Sequence, residues 1–249
     1  MDMKKLPKTL AEAEIQPGVF LFPGLWEGEL REMTTADEDA LLNQRPGHEG
    51  EAVNKVMQSC LVKPEGISVQ DLLMGDRLFL LFALRRLTHG DIYSLRVTCP
   101  RCNHGFVWDE SLGDIQVQYL ADPAFAAPGH LFSFTLPKSG KMVKFRLGRG
   151  RDEQRLQVIR RENRDRLMTS LMAMRVVELD GETNVTPKSF AALPASDAAA
   201  LRTEIEARDC GVNTTIKVEC PNCYRTDEIE LQLDADFFVP GRRPRRQGS

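Results

Sequence analysis

The chain has 249 residues, 42% hydrophobic and 28% charged, with a formal net charge of −3 at pH 7. This is the composition of a globular protein long enough for one sizeable core or two small ones. A slightly acidic body argues against nucleic-acid binding by bulk electrostatics, and no apolar run approaches the ~20 residues that span a bilayer, so no membrane insertion is expected.

Met1-Asp2-Met3-Lys4-Lys5 leads into polar sequence and not into a signal-peptide core, which points to a reducing cytosol. Residues 1–30 lack periodicity. Pro17, Gly18, Pro23, Gly24 and Gly28 interrupt Val19-Phe20-Leu21-Phe22 and Leu25-Trp26, so this stretch reads as an extended N-terminal arm. Exposed, it would be sticky. It is expected to contact another subunit through Phe20, Phe22, Leu25 and Trp26; the alternative is that it folds back on its own domain.

Thr34-Thr35-Ala36-Asp37-Glu38 opens a short helix, with Thr35 and Glu38 as a capping box. Pro46-Gly47-His48-Glu49-Gly50 is a loop. Val53, Val56, Met57, Cys60 and Leu61 form the stripe of a helix that stops before Pro64. Ser68 and Asp71 cap a further helix ended by Gly75. From Asp76 the chain restarts into Arg77-Leu78-Phe79-Leu80-Leu81-Phe82-Ala83-Leu84, which is too apolar to be other than buried, and Gly90 closes that helix.

Leu95-Arg96-Val97-Thr98 alternates as a strand and leads into Cys99-Pro100-Arg101-Cys102; Phe106-Val107-Trp108 reads as the outgoing strand. A long insertion follows. Phe132, Phe134 and Leu136 alternate on one strand and Val143, Phe145 and Leu147 on the next, joined by the turn Pro137-Lys138-Ser139-Gly140. Residues 149–175 read as a long helix with a stripe at Leu156, Ile159, Leu167 and Leu171. On it Arg160, Arg161, Arg164 and Arg166 alternate with Glu162 and Asp165, a solvated face more often than a partner-binding one. Thr186-Pro187 starts a small helix, and Ser196 another that runs to Cys210-Gly211. The strand–C-P-x-C–strand pattern then recurs: Ile216-Lys217-Val218-Glu219, Cys220-Pro221-Asn222-Cys223, Ile229-Glu230-Leu231-Gln232-Leu233. The chain ends in Arg242, Arg243, Arg245 and Arg246, able to hold phosphate or an acidic protein face.

Each C-P-x-C pair aims two thiolates at one ion from a tight turn, and half a tetrahedral site is all one pair supplies. Cys99, Cys102, Cys220 and Cys223 are therefore expected to share one structural zinc, which would pin together segments far apart in sequence. His104 is the alternative fourth ligand; a pair of disulfides or free thiols is the reading without metal. Cys60 lies on an apolar helical stripe and Cys210 at a helix end, neither with a nearby base.

Enzyme signatures are missing. There is no G-x-x-x-x-G-K-[ST], no G-x-S-x-G and no H-E-x-x-H, and the H-x-E of the zinc deaminases does not accompany either cysteine pair. Four cysteines fill a zinc shell and leave no open position. No catalysis and no small-molecule substrate are expected.

The fold class expected is α+β: a helical N-terminal part plus a zinc-ribbon-like pair of C-P-x-C hairpins closing a β-hairpin and helix insertion. The organisation expected is an arm at 1–30, a zinc-clasped domain at 31–240 with its insertion at about 120–212, and an arginine-rich tail at 241–249.

Several stretches in order carry a resemblance. They are Met33-Thr34-Thr35-Ala36-Asp37-Glu38-Asp39, Gly75-Asp76-Arg77, Leu84-Arg85-Arg86 with Gly90-Asp91, the first C-P-x-C, Leu136 to Arg146, the second C-P-x-C, and Phe237-Phe238-Val239-Pro240. Over about residues 30–240 the chain resembles the baseplate hub and hub-assembly proteins of T-even-like contractile-tailed phages. The resemblance implies a non-catalytic subunit of the hub or inner baseplate with other tail subunits as partners. It would be assembled in the host cytoplasm and carried in the virion. A transient assembly chaperone of the same family is one alternative. A zinc-ribbon nucleic-acid-binding protein, using Arg101, Arg225 and the tail on phosphate, is another.

Overall fold

A computed structural model describes residues 6–43, 49–153, 155, 159, 167–231, 233 and 235–238. Its centre is α3 (Met74–His89), whose Phe79, Leu80, Phe82, Ala83 and Leu84 are all fully buried. A run that apolar cannot face water on any side, so other elements enclose it. These include α1 (Thr35–Leu42), α2 (Glu49–Cys60) and an antiparallel sheet ordered β1-β2-β3-β4 (Glu14–Gln16, Val19–Leu21, Glu27–Leu30, Leu61–Lys63). Gly90, at φ 80°, caps α3 as expected and donates its N–H to the Arg86 carbonyl at 2.9 Å.

The N-terminal stretch is not an extended arm. Pro17-Gly18 makes the tight turn between β1 and β2, with Gly18 at φ 77°, and the chain folds back as a meander. Phe20 and Phe22 are 1% and 0% exposed. Phe22 stacks on Trp26 at 4.0 Å between centroids and tilts against Phe79 at 5.0 Å. Proline and glycine here supply turns and do not hold the chain straight, contrary to the expectation from sequence. The two phenylalanines expected on a partner are core residues of this chain.

Other boundaries also shift. The capping box of α1 is Thr34 with Asp37, one residue earlier than expected. Residues 68–73 are not helical, and Gly75 lies inside the first turn of α3 and does not end a helix before it. Its role is close approach: a Cβ at Gly75 would sit 1.8 Å from the Cys210 carbonyl oxygen. The next two residues bind other segments. Asp76 accepts from the Gly24 N–H at 2.6 Å and the Trp26 Nε1–H at 2.8 Å. Arg77 holds both Glu153 oxygens (3.1 and 2.6 Å), the Val69 carbonyl (2.8 Å) and Asn54 (2.6 Å).

The segment between the cysteine pairs builds a second, smaller core. A sheet ordered β9-β8-β7 (Val176–Leu179, Met142–Phe145, Phe132–Thr135) packs with α4 (Leu167–Arg175), α5 (Pro187–Ala191) and α6 (Ala195–Arg208). Buried Asp197 accepts from the Lys138 and Ser139 N–H groups at 2.8 and 2.9 Å, which fixes the Pro137–Gly140 turn. Of the long helix expected at 149–175, residues 150–153, 155 and 159 and α4 are helical. Leu156 and the run Arg160, Arg161, Glu162, Arg164, Asp165 and Arg166 lie outside the described residues. The chain thus mixes helices with several small antiparallel sheets around two cores.

Two substitutions test this packing. Phe22→Ala should cost about 3–5 kcal/mol in denaturant unfolding, as for a buried aromatic, and an unchanged midpoint would return the arm to the surface. Gly75→Ala should cost about 3 kcal/mol, the upper end of ordinary overpacking. Burial pushes the Asp76 carboxyl up to about 6 even though the Trp26 and Gly24 N–H groups pull it down. Its folded-state pKa lies above the unfolded value of 3.8. Asp76 therefore contributes more stability below its shifted pKa, and that contribution falls as pH rises through 6. The stability difference between wild type and Asp76→Ala should be about 1 kcal/mol greater at pH 5 than at pH 7.

Candidate metal centre

Two hairpins carry the cysteine pairs. In the first, β5 (Ile92–Thr98) pairs antiparallel with β6 (Gly105–Ser111), from Ile92 opposite Ser111 to Thr98 opposite Gly105. In the second, β10 (Thr215–Glu219) pairs with β11 (Thr226–Glu230). Alternate residues Leu95, Val97, Trp108, Ile216, Val218 and Ile229 turn toward the larger core, as strand periodicity requires. The second outgoing strand lies earlier than Ile229–Leu233, the span read from sequence.

The turns repeat each other bond for bond. The Cys99 N–H donates to the His104 carbonyl at 3.0 Å, and the Asn103 N–H to the Cys99 carbonyl at 2.9 Å. The Cys220 N–H donates to Arg225 and the Tyr224 N–H to Cys220, both at 2.9 Å. Asn103 and Tyr224, each following the second cysteine of its pair, share φ 55°. The weak sequence repeat is a close geometric one.

All four sulfurs lie within 4.8 Å of one another. Cys99 Sγ is 3.7 Å from Cys223 Sγ, and Cys102 Sγ is 3.7 Å from Cys220 Sγ. A disulfide needs about 2.05 Å, so these are separate thiols. A tetrahedron of Zn–S bonds of about 2.3 Å has edges of about 3.8 Å, which the two closest separations match. Cys99 and Cys220 are buried, Cys102 and Cys223 half-buried. The residues fit a metal ion held by four thiolates, with no position left for water or substrate.

Electrostatics point the same way. The Asn222 side-chain amide donates to Cys102 Sγ at 3.5 Å and, with a backbone N–H at His104, brings that thiol down to about 6. Cys223 goes the other way, to about 11: the Arg225 backbone N–H lowers it, but burial and the neighbouring sulfurs together outweigh that pull. One thiolate thus opposes the next, and a divalent cation is what allows all four to ionise together.

The remaining candidates fall elsewhere. His104 is exposed, stacks 6.3 Å from Phe106 and does not join the sulfur group. Cys60 is a core residue whose thiol burial pushes up to about 11, and burial drives Cys210 higher still. Leu25 and Trp26 are half-buried; Leu25 packs on the smaller core, and Trp26 is tied to Asp76. Arg242, Arg243, Arg245 and Arg246 lie outside the described residues. Sequence reading did not find Asn222. Its position inside the second pair was visible, but its reach to the opposite pair depends on the hairpins facing each other.

A protein-family profile described as T4 bacteriophage base plate protein matches residues 23–239. The match spans all four cysteines of the cluster, starts after Phe22 and stops before the arginine tail. No curated protein and no solved structure matches the chain.

The two classes of cysteine predict an order of reactivity. In folded protein treated with a chelator, iodoacetamide should label Cys102 first, while Cys60 and Cys210 react only on unfolding. Labelling of Cys60 before Cys102 would contradict the geometry.

Proposed function

The chain belongs to the T4 bacteriophage base plate protein family, and from that membership we propose that it is a structural, non-catalytic subunit of the hub or inner baseplate of a contractile phage tail. Family membership over 217 consecutive residues, 23 to 239, is the observation that carries this reading. The family implies other phage structural proteins as neighbours. On this reading the chain is made in the host cytoplasm and resides in the virion tail.

The cysteine cluster has a structural part in this proposal. Cys99, Cys102, Cys220 and Cys223 would hold one zinc ion, which cross-links the two hairpins. Cross-links of this kind restrict motion, and a subunit that passes force within a contracting tail needs a fixed shape. Backbone N–H bonds within each turn hold the cysteines in place, and Asn222 supports Cys102 across the cluster.

Two measurements test the proposal. Mass spectrometry of intact purified particles should find the chain in a fixed ratio to other tail proteins. Its presence only in assembling cells would make it an assembly chaperone instead. Elemental analysis of protein prepared without chelator should give one zinc per chain, and Cys220→Ser should lose it. Structural zinc contributes on the order of 10 kcal/mol in small zinc peptides. Part of that is already a large share of a marginally stable domain's total, so Cys220→Ser should unfold cooperatively at a far lower temperature. Metal-free protein of unchanged stability would overturn the zinc assignment.

A further inference from the structure

Four non-glycine residues among those described adopt left-handed backbone: Leu25, Asn103, Asp180 and Tyr224. Asparagine and aspartate tolerate this conformation. Leu25 is compensated by packing against the smaller core. Tyr224 has neither excuse: it is aromatic, and 76% of its surface stays in solvent. Its counterpart in the repeated turn is Asn103, the residue type the backbone prefers. Folding alone would favour asparagine or glycine at 224. The turn accounts for the backbone, with the Tyr224 N–H on the Cys220 carbonyl at 2.9 Å, but not for an exposed tyrosine upon it, and that points to a contact outside the chain.

The surroundings give that contact a chemistry. Every residue of both turns is within two positions of a cysteine whose sulfur belongs to a group 4.8 Å across, so the turns form one tip. Arg101, His104, Tyr224 and Arg225 are exposed there, and neither Cys99–His104 nor Cys220–Arg225 contains a carboxylate, although Arg225 pairs with Asp227 just beyond the second turn at 2.8 Å. A chain of net charge −3 therefore presents an aromatic, cationic point. Tyrosine with arginine is the composition of interface hot spots. Two arginines would neutralise only about two phosphates, too few for firm nucleic-acid binding.

We propose that this tip docks an acidic segment of a neighbouring baseplate subunit, with Tyr224 as the anchor and Arg101 facing the partner's carboxylates. The inference rests on the baseplate reading above.

The test supplies full-length variants to a phage lacking its own copy. Tyr224→Gly relieves the backbone, so its melting temperature and metal content should equal or exceed wild type, yet its copies per particle should fall at least about tenfold. Tyr224→Phe should retain incorporation, and Arg101→Glu should lose it. A photo-crosslinking phenylalanine analogue at 224 should join a peptide rich in aspartate or glutamate from another subunit. Wild-type incorporation of Tyr224→Gly would overturn the proposal. So would a melting temperature lowered by more than about 4 °C, or cross-links confined to the chain itself or to nucleic acid. Cross-linking is done in assembling cells as well as in particles. A wild-type chain absent from particles then counts against virion residence, while the cross-links still report on the tip.

Discussion

Four sulfurs held within 4.8 Å of one another, without a covalent bond between them, set the constraint on which this fold turns. The closest pairs join residues 118 and 124 apart in sequence. Everything between must leave the first hairpin and return to the second. Closing a loop that long costs little more than closing a shorter one, since the entropy grows only with the logarithm of length. The insertion can therefore carry its own sheet, helices and core. What is expensive is the sulfur cluster itself, because thiolates this close repel one another. On the proposal above, a cation at the centre would remove that conflict and cross-link the two hairpins.

The two cores also meet away from the cysteines, at the first turn of α3. Gly75 lets the Cys210 backbone come into contact, Asp76 fastens the N-terminal meander, and Arg77 reaches Glu153 within the insertion. Arg146 and Asp152 lie close by in a two-pronged ion pair at 2.7 and 2.8 Å. Asp76, Arg77 and Asp152 are buried and need partners, so each fixes the position of a different segment. Gly75-Asp76-Arg77 was recognisable in sequence as part of a family pattern. Its physical content is that three successive residues join three parts of the chain.

Much of the fold was legible from local pattern. The knuckle hairpins, the Phe132–Phe145 hairpin, the buried helix and its Gly90 cap all follow from strand alternation, apolar density and turn chemistry. Failures came where one residue type serves two purposes. Gly75 reads as a helix stop, yet its reason is a contact with Cys210, 135 residues away, invisible to any local rule. Pro17-Gly18 and Pro23-Gly24 read as breakers that keep an arm straight, and at least the first is a turn that folds it. Phe22 looked like an anchor for another subunit because its own partner, Phe79, comes from a distant helix. At the cluster, the cysteines were plain from spacing. The cross-turn contact of Asn222 and the left-handed backbone of Tyr224 depend on geometry that spacing does not encode.

Family membership places this chain among phage baseplate proteins, and the proposal above gives the sulfur cluster its part there: a metal clasp that makes two distant hairpins one rigid body. X-ray absorption at the zinc edge, on protein taken from purified particles, tests that most directly. The account predicts a single zinc shell of four sulfurs at about 2.3 Å. A shell containing nitrogen or oxygen, or particles whose copy of the chain carries no zinc, would contradict it.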